Sequence, residues 1–125
     1  MPRLFVDVDD TLVKWTEPEG DNPQHTPNIN LALVYAARNF LETYPDFSLV
    51  VWSGGGADYA QYWGRNAFGS RPPHFAAAKA PGLVLPDDIC VDDQLEIKVT
   101  ATVMSDAEFI RTYPVSTESG DGSQK

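Results

Sequence analysis

Four apolar stretches of the chain end in groups able to do chemistry on an anion. Phe5-Val6 runs into Asp7-Val8-Asp9-Asp10-Thr11, Leu49-Val50-Val51-Trp52 into Ser53-Gly54-Gly55-Gly56, Phe75-Ala76-Ala77-Ala78 into Lys79, and Ile89-Cys90-Val91 into Asp92-Asp93. Gathered carboxylates can serve as nucleophiles, as proton donors and acceptors, and as ligands to a hard, oxygen-seeking cation. Hydroxyls, backbone amides beside glycine and a lysine can hold anionic oxygens. Phosphoryl transfer asks for this mixture: a nucleophile, an acid or base in line with it, and neutralisation of the equatorial oxygens. Carboxylates crowded this closely repel one another, and one keeps its proton unless countercharge is supplied. A divalent cation and Lys79 are the candidates for that countercharge.

Positioning these groups requires several apolar strands whose ends meet. Arg3 to Val8 is a short apolar run with β-branched residues, which predicts a buried strand. Lys14 to Pro27 is polar and rich in Pro, Gly and Asp, which predicts a loop or small flap over the strand end. Asn28 or Asn30 caps a helix in which Leu31, Val34, Tyr35, Ala37, Phe40 and Leu41 fall at helical spacing and which Tyr44-Pro45 stops. Phe47 to Trp52 reads as a second strand and Ala57 to Phe68 as a second helix. After the breakers from Gly69 to Pro73, short strands are predicted at His74 to Ala78, Ile89 to Val91 and Val99 to Met104. Ser105-Asp106 with Glu108 opens a final short helix. Alternating strand and helix predicts one three-layer, Rossmann-like α/β domain over residues 1–113, with a parallel sheet of about five strands, right-handed crossovers and no large cap domain. Residues 114–125 carry no apolar periodicity and are expected to form a disordered tail. Ligands of open parallel sheets bind beyond the carboxyl ends of the strands, where the four chemical clusters would converge.

The run Phe5-Val6-Asp7-Val8-Asp9-Asp10-Thr11-Leu12 resembles the first motif of the haloacid dehalogenase-like superfamily, an apolar strand entering Asp-x-Asp-x-Thr. Ser53 is similar to that family's second motif, Lys79 to its third and Val91-Asp92-Asp93 to its acidic fourth, in family order and covering the chain to about Met104. The resemblance implies a small capless phosphatase that hydrolyses phosphomonoesters with Mg2+. Asp7 would be the nucleophile, forming an aspartyl-phosphate, and Asp9 the general acid and base. Thr11, Ser53, Gly54 and Lys79, with backbone amides around Asp10 and Gly54, would hold the phosphate. Asp7, the Asp9 backbone carbonyl, Asp92 and Asp93 would hold the metal, with Asp92 ahead of Asp93. Lys98, after the fourth motif, fits the lysine role less well than Lys79. The second aspartate, Asp9, argues for phosphate chemistry over dehalogenation. A receiver domain would need its phosphoacceptor at the end of a middle strand, where this chain has Ser53. A catalytically idle binding module is the other alternative.

The remaining features bound this reading. A chain of 125 residues, 42% hydrophobic and 22% charged, has the composition of a folded soluble protein with a single core. Its formal charge of −9 argues against nonspecific binding to duplex nucleic acid. A cation held among the carboxylates would reverse the local potential, so an anionic substrate stays compatible. Ser53-Gly54-Gly55-Gly56 matches neither a P-loop nor a dinucleotide fingerprint. The lone Cys90 is expected to be buried and inert, Asp10 to be a loop residue, His25 and His74 to lie on the surface or in loops, and Trp52 and Trp63 to be core. Trp15, in the flap, is expected to pack, with stacking on a substrate ring as the alternative. No apolar stretch approaches the roughly 20 residues of a membrane span and no signal-peptide pattern opens the chain, which predicts a cytoplasmic protein. An open pocket suits a nucleotide, a nucleic-acid end or another phosphorylated molecule, or a second subunit that completes it.

Overall fold

Strands buried on both faces read as continuous apolar runs, and the central strands of this fold do so through Leu4 to Val6, Leu49 to Trp52 and Ile89 to Val91. In the computed structural model, which describes residues 1–17, 20, 25–97 and 99–115, the elements run β1 (Arg3–Asp7), β2 (Val13–Thr16), β3 (Thr26–Ile29), α1 (Leu31–Thr43), β4 (Ser48–Ser53), α2 (Ala57–Phe68), β5 (His74–Ala78), β6 (Ile89–Val91), β7 (Thr102–Met104) and α3 (Asp106–Thr112), with a 3-10 turn at Pro81–Leu83. Five strands form one parallel sheet in the order β5-β4-β1-β6-β7. This is a Rossmann-like α/β fold. No helix among the described residues is long and apolar enough to cross a membrane.

Alternation along each strand sorts the core into two halves. Leu4, Val6, Leu49, Val51, Ile89, Val91 and Met104 face one way and pack with Leu33, Val34, Ala37 and Phe40 of α1, Ala60 and Phe68 of α2, and Phe109 of α3. Phe5, Val50, Trp52 and Cys90 face the other way, where Val84, Ile97, Val99 and Ala101 cover them. All three helices therefore lie on one face, and the layer on the other is built from the β5–β6 and β6–β7 connections. The topology accounts for this. The chain moves outward from β1 through β4 to β5, then returns past β1 to β6 and β7, so right-handed crossovers place the later connections on the opposite face. The reversal falls between β1 and β6, where ligand crevices open in such sheets.

Local chemistry sets the helix ends. Asn30, one of the two predicted caps, accepts from the Leu33 amide at 3.2 Å. Its Nδ2 donates to the Thr11 carbonyl at 3.0 Å and to Asp106 Oδ2 at 2.9 Å, tying the start of α1 to the turn after β1 and to α3. Ser105 caps α3 by accepting from the Glu108 amide at 3.1 Å. Gly64 lets α2 lie against the sheet, since a β-carbon there would come 2.7 Å from Nε2 of His74 and 3.2 Å from Cγ2 of Val51.

Four sequence expectations need correction. The arms of the 14–27 segment are not loop: β2 and β3 pair antiparallel, Lys14 opposite Asn28 and Trp15 opposite Pro27. The last strand is shorter than 99–104, because Val99 and Ala101 are apolar in order to cover the second face and not to pair. His74 is neither surface nor loop; it is half-buried in β5 beneath Gly64. Trp63 is only partly buried, against the edge of Trp15. Trp52 is core, as expected. Residues 116–125 of the expected tail, residues 18, 19 and 21–24 of the flap, and Lys98 lie outside the described residues.

Candidate active site

The catalytic candidates stand where the parallel strands end. Asp7 is the last residue of β1, opposite Trp52 of β4, and Val6 pairs with Val91, so Asp92 follows β6 at the adjoining strand end. Beyond Asp7 the chain coils back on itself. Leu12 N donates to Asp7 O at 3.1 Å, Val13 N to Val8 O at 2.8 Å and Asp10 N to Val13 O at 2.8 Å. Asp10 takes a left-handed conformation, φ 65°, which a short polar side chain tolerates and a bulky one does not. The coil sets Asp9 beside Asp7 at the mouth of a cleft of about 330 Å³ lined by Asp7, Asp9, Ser53, Gly54, Lys79 and Asp93, among others.

Lys79 follows β5, its amide donating to the Ser53 carbonyl at 2.9 Å. Its Nζ lies 3.2 Å from Asp7 Oδ1 and 2.7 Å from Asp92 Oδ2. Asp92 is wholly enclosed; its Oδ1 accepts from the Gln94 amide at 2.9 Å, while Oδ2 has this ion contact but no well-aligned hydrogen bond. Thr11 is also enclosed, and its hydroxyl donates to Asp7 Oδ2 at 3.3 Å. It therefore steadies Asp7 from beneath and does not line the cleft. The Asp10 amide is likewise spent on Val13, which takes it out of the expected phosphate cradle. Ser53 Oγ accepts from the Gly55 amide at 3.0 Å, leaving its own proton to donate into the cleft beside Gly54.

Burial pushes the Asp7 carboxyl up to about 7, the Asp92 charge adds to this, and Lys79 works against it. Burial raises Asp92 too, with the Lys79 and Gln94 contacts opposing. For Lys79, burial pulls down, yet the close contact with Asp92 and the two aspartate charges prevail and hold it above 10.5. One ammonium thus stands against two carboxylates, with Asp93 exposed at the rim. Asp7, Asp92 and Asp93 each present an oxygen within 4.8 Å of the others, a group that could hold a metal ion. All-oxygen donors, with more carboxylates than the one ammonium can neutralise, suit a hard divalent cation. The Asp9 carboxyl stands apart: its Oδ1 accepts from Trp15 Nε1 at 3.0 Å and from the Tyr59 hydroxyl at 2.7 Å.

Tyr59, Gly55 and Gln94 were not singled out in the sequence. Gln94 could have been found, since an aspartate commonly accepts from the amide two residues on. Tyr59 and Gly55 carry no local signal, because their roles depend on α2 docking beside the coil. Trp15 packs as expected, but its indole N–H also engages Asp9. Cys90 is buried and its thiol is pushed up to about 12, chiefly by that burial, so it stays protonated and inert. His25 is exposed, as expected. Compared with protein-family models, curated proteins and solved structures, the chain matches none.

Proposed function

We propose that this chain is a magnesium-dependent phosphomonoester hydrolase of the haloacid dehalogenase-like kind, working through an aspartyl-phosphate on Asp7. The observation that carries this reading is the setting of Asp7: a carboxylate on the cleft floor, gripped by Lys79 at 3.2 Å and Thr11 at 3.3 Å and flanked by two further aspartates.

Asp7 attacks phosphorus in line with the ester oxygen; the P–O bond to the leaving group breaks, and Asp9 gives that oxygen its proton. Asp9, now a carboxylate, takes a proton from the water that attacks the aspartyl-phosphate, releasing phosphate and restoring Asp7. Ser53, the Gly54 amide and Lys79 hold the equatorial oxygens through both steps. Bound by Asp7, Asp92, Asp93 and the Asp9 carbonyl, magnesium would supply the positive charge that keeps Asp7 ionised and neutralises phosphate oxygens.

The test is hydrolysis of p-nitrophenyl phosphate, nucleotides, and 3′- and 5′-phosphorylated oligonucleotides, with magnesium and with chelator. Metal-dependent phosphate release, absent from Asp7→Asn, is expected; no release from any substrate would favour the idle binding module.

A further inference from the structure

We propose that Trp15 and Tyr59 are positioning residues for Asp9, a two-donor clamp that ties the carboxyl to the seating of the β2–β3 hairpin against α2. Its catalytic consequence rests on the hydrolase reading above. Three separate segments meet at one oxygen: Asp9 from the coil after β1, Trp15 from β2 and Tyr59 from the first turns of α2. Both donors use Oδ1, at 3.0 Å from the indole and 2.7 Å from the phenol, and among the described residues no hydrogen bond reaches Oδ2. One oxygen of the carboxyl is pinned, which fixes its plane and leaves the other to exchange a proton with a substrate oxygen.

The surroundings are built for this contact. Trp15 rests edge-on against Trp63 of α2, ring centres 5.9 Å apart, so the hairpin and helix are joined on the apolar side of the clamp as well. The Tyr59 hydroxyl is pushed up to about 12, by burial first and then by Asp9, so it remains a donor across the working pH range. Gly55 leaves room for the phenol, since a β-carbon there would lie 3.0 Å from Tyr59 Cδ2 and 3.4 Å from Ser53 Oγ. The middle glycine of Ser53-Gly54-Gly55-Gly56, which answers to no nucleotide motif, thereby gains a reason: it lets Tyr59 reach Asp9.

A loosened general acid hurts poor leaving groups most. An alkoxide must be protonated as it departs, whereas p-nitrophenolate leaves without help. Tyr59→Phe, which keeps the ring and deletes the donor, and Trp15→Phe, which deletes the indole N–H and leaves a smaller aromatic ring, should each lower kcat for a simple alkyl phosphate about tenfold. KM should hold within about twofold and p-nitrophenyl phosphate turnover should change much less. Equal losses on both substrates, or a change in KM alone, would overturn the positioning role. A second readout needs no turnover: the Trp15 indole N–H resonance should shift in Asp9→Asn and in Tyr59→Phe, and an unmoved resonance in both would dismiss the clamp. If the parent hydrolyses no phosphate ester, the hydrolase reading fails by itself, and the indole resonance alone decides whether the clamp exists.

Discussion

Lys79 reaches from the end of β5 to the end of β6, placing Nζ 2.7 Å from Asp92 Oδ2. Only 15% of the lysine side chain and none of the aspartate is exposed, and the same ammonium also neutralises Asp7. Removing one partner of a buried ion pair leaves an uncompensated charge, at a cost of about 3 kcal/mol or more. Lys79→Met is therefore expected to lower the melting temperature at neutral pH by several degrees. Because the fault is excess negative charge, magnesium should restore part of the loss. Thermal unfolding with chelator and with magnesium measures both; a variant as stable as the parent in chelator would show that the pair carries no such weight.

Asp7 makes metal-free stability fall as pH rises. Its carboxyl is raised from 3.8 to about 7 on folding, so the folded chain holds this proton more tightly than the unfolded one. The contribution is fully present below 3.8 and is lost as pH climbs through about 7. Asp92, raised by burial, acts in the same direction. With chelator, the parent should lose stability relative to Asp7→Asn between pH 5 and 8. Magnesium must displace the same proton, so its apparent affinity should rise toward tenfold per pH unit below about 7. Calorimetric titration across this range checks the affinity; a pH-independent value would place the cation elsewhere.

Asp92 and Asp93 should separate in their effect on metal. Asp92→Asn keeps an acceptor for the Gln94 amide while removing a buried charge, and should weaken magnesium activation by at least about tenfold. Asp93, exposed at the cleft, should cost less when changed to Asn, since water can take over its contact. Magnesium titrations of phosphate release compare the two. An unchanged midpoint in Asp92→Asn with a large shift in Asp93→Asn would reverse the assignment.

Much of this architecture was legible because it rests on local pattern. The apolar runs before Asp7, Ser53 and Asp92 had to be strands buried on two faces, and the run before Lys79 is a strand too, though at the sheet's edge with Phe75 exposed; the polar groups ending all four stand at the carboxyl ends of the strands. Asn30 and Ser105 declared their helices by cap chemistry. What stayed hidden depends on distance in sequence. The strand character of Val13–Thr16 and Thr26–Ile29 comes from their pairing with each other, while Pro27 and the polar intervening residues speak for loop. Val99 and Ala101 read as strand because burial under a sheet and pairing within one select the same side chains. The grip of Trp15 and Tyr59 on Asp9 spans six and fifty residues and leaves no periodic trace.

Gly64 tests how closely α2 must approach the sheet to hold the strand that delivers Ser53. It sits within the helix, where alanine would be favoured by about 1 kcal/mol on helix propensity alone. Against this, the added methyl would meet Nε2 of His74 at 2.7 Å and Cγ2 of Val51 at 3.2 Å. Val51 is fully buried in the central part of the sheet, so relief requires α2 to move or β4 to shift. Overpacking of this kind costs about 1–3 kcal/mol, which outweighs the propensity gain at most of that range. Gly64→Ala is therefore expected to be destabilising by about 1 kcal/mol net. Pairing it with His74→Ala should recover most of the loss, because that substitution removes the nearer clash. Denaturant unfolding of the single and double variants measures the coupling, and a Gly64→Ala protein more stable than the parent would mean that α2 has room to spare.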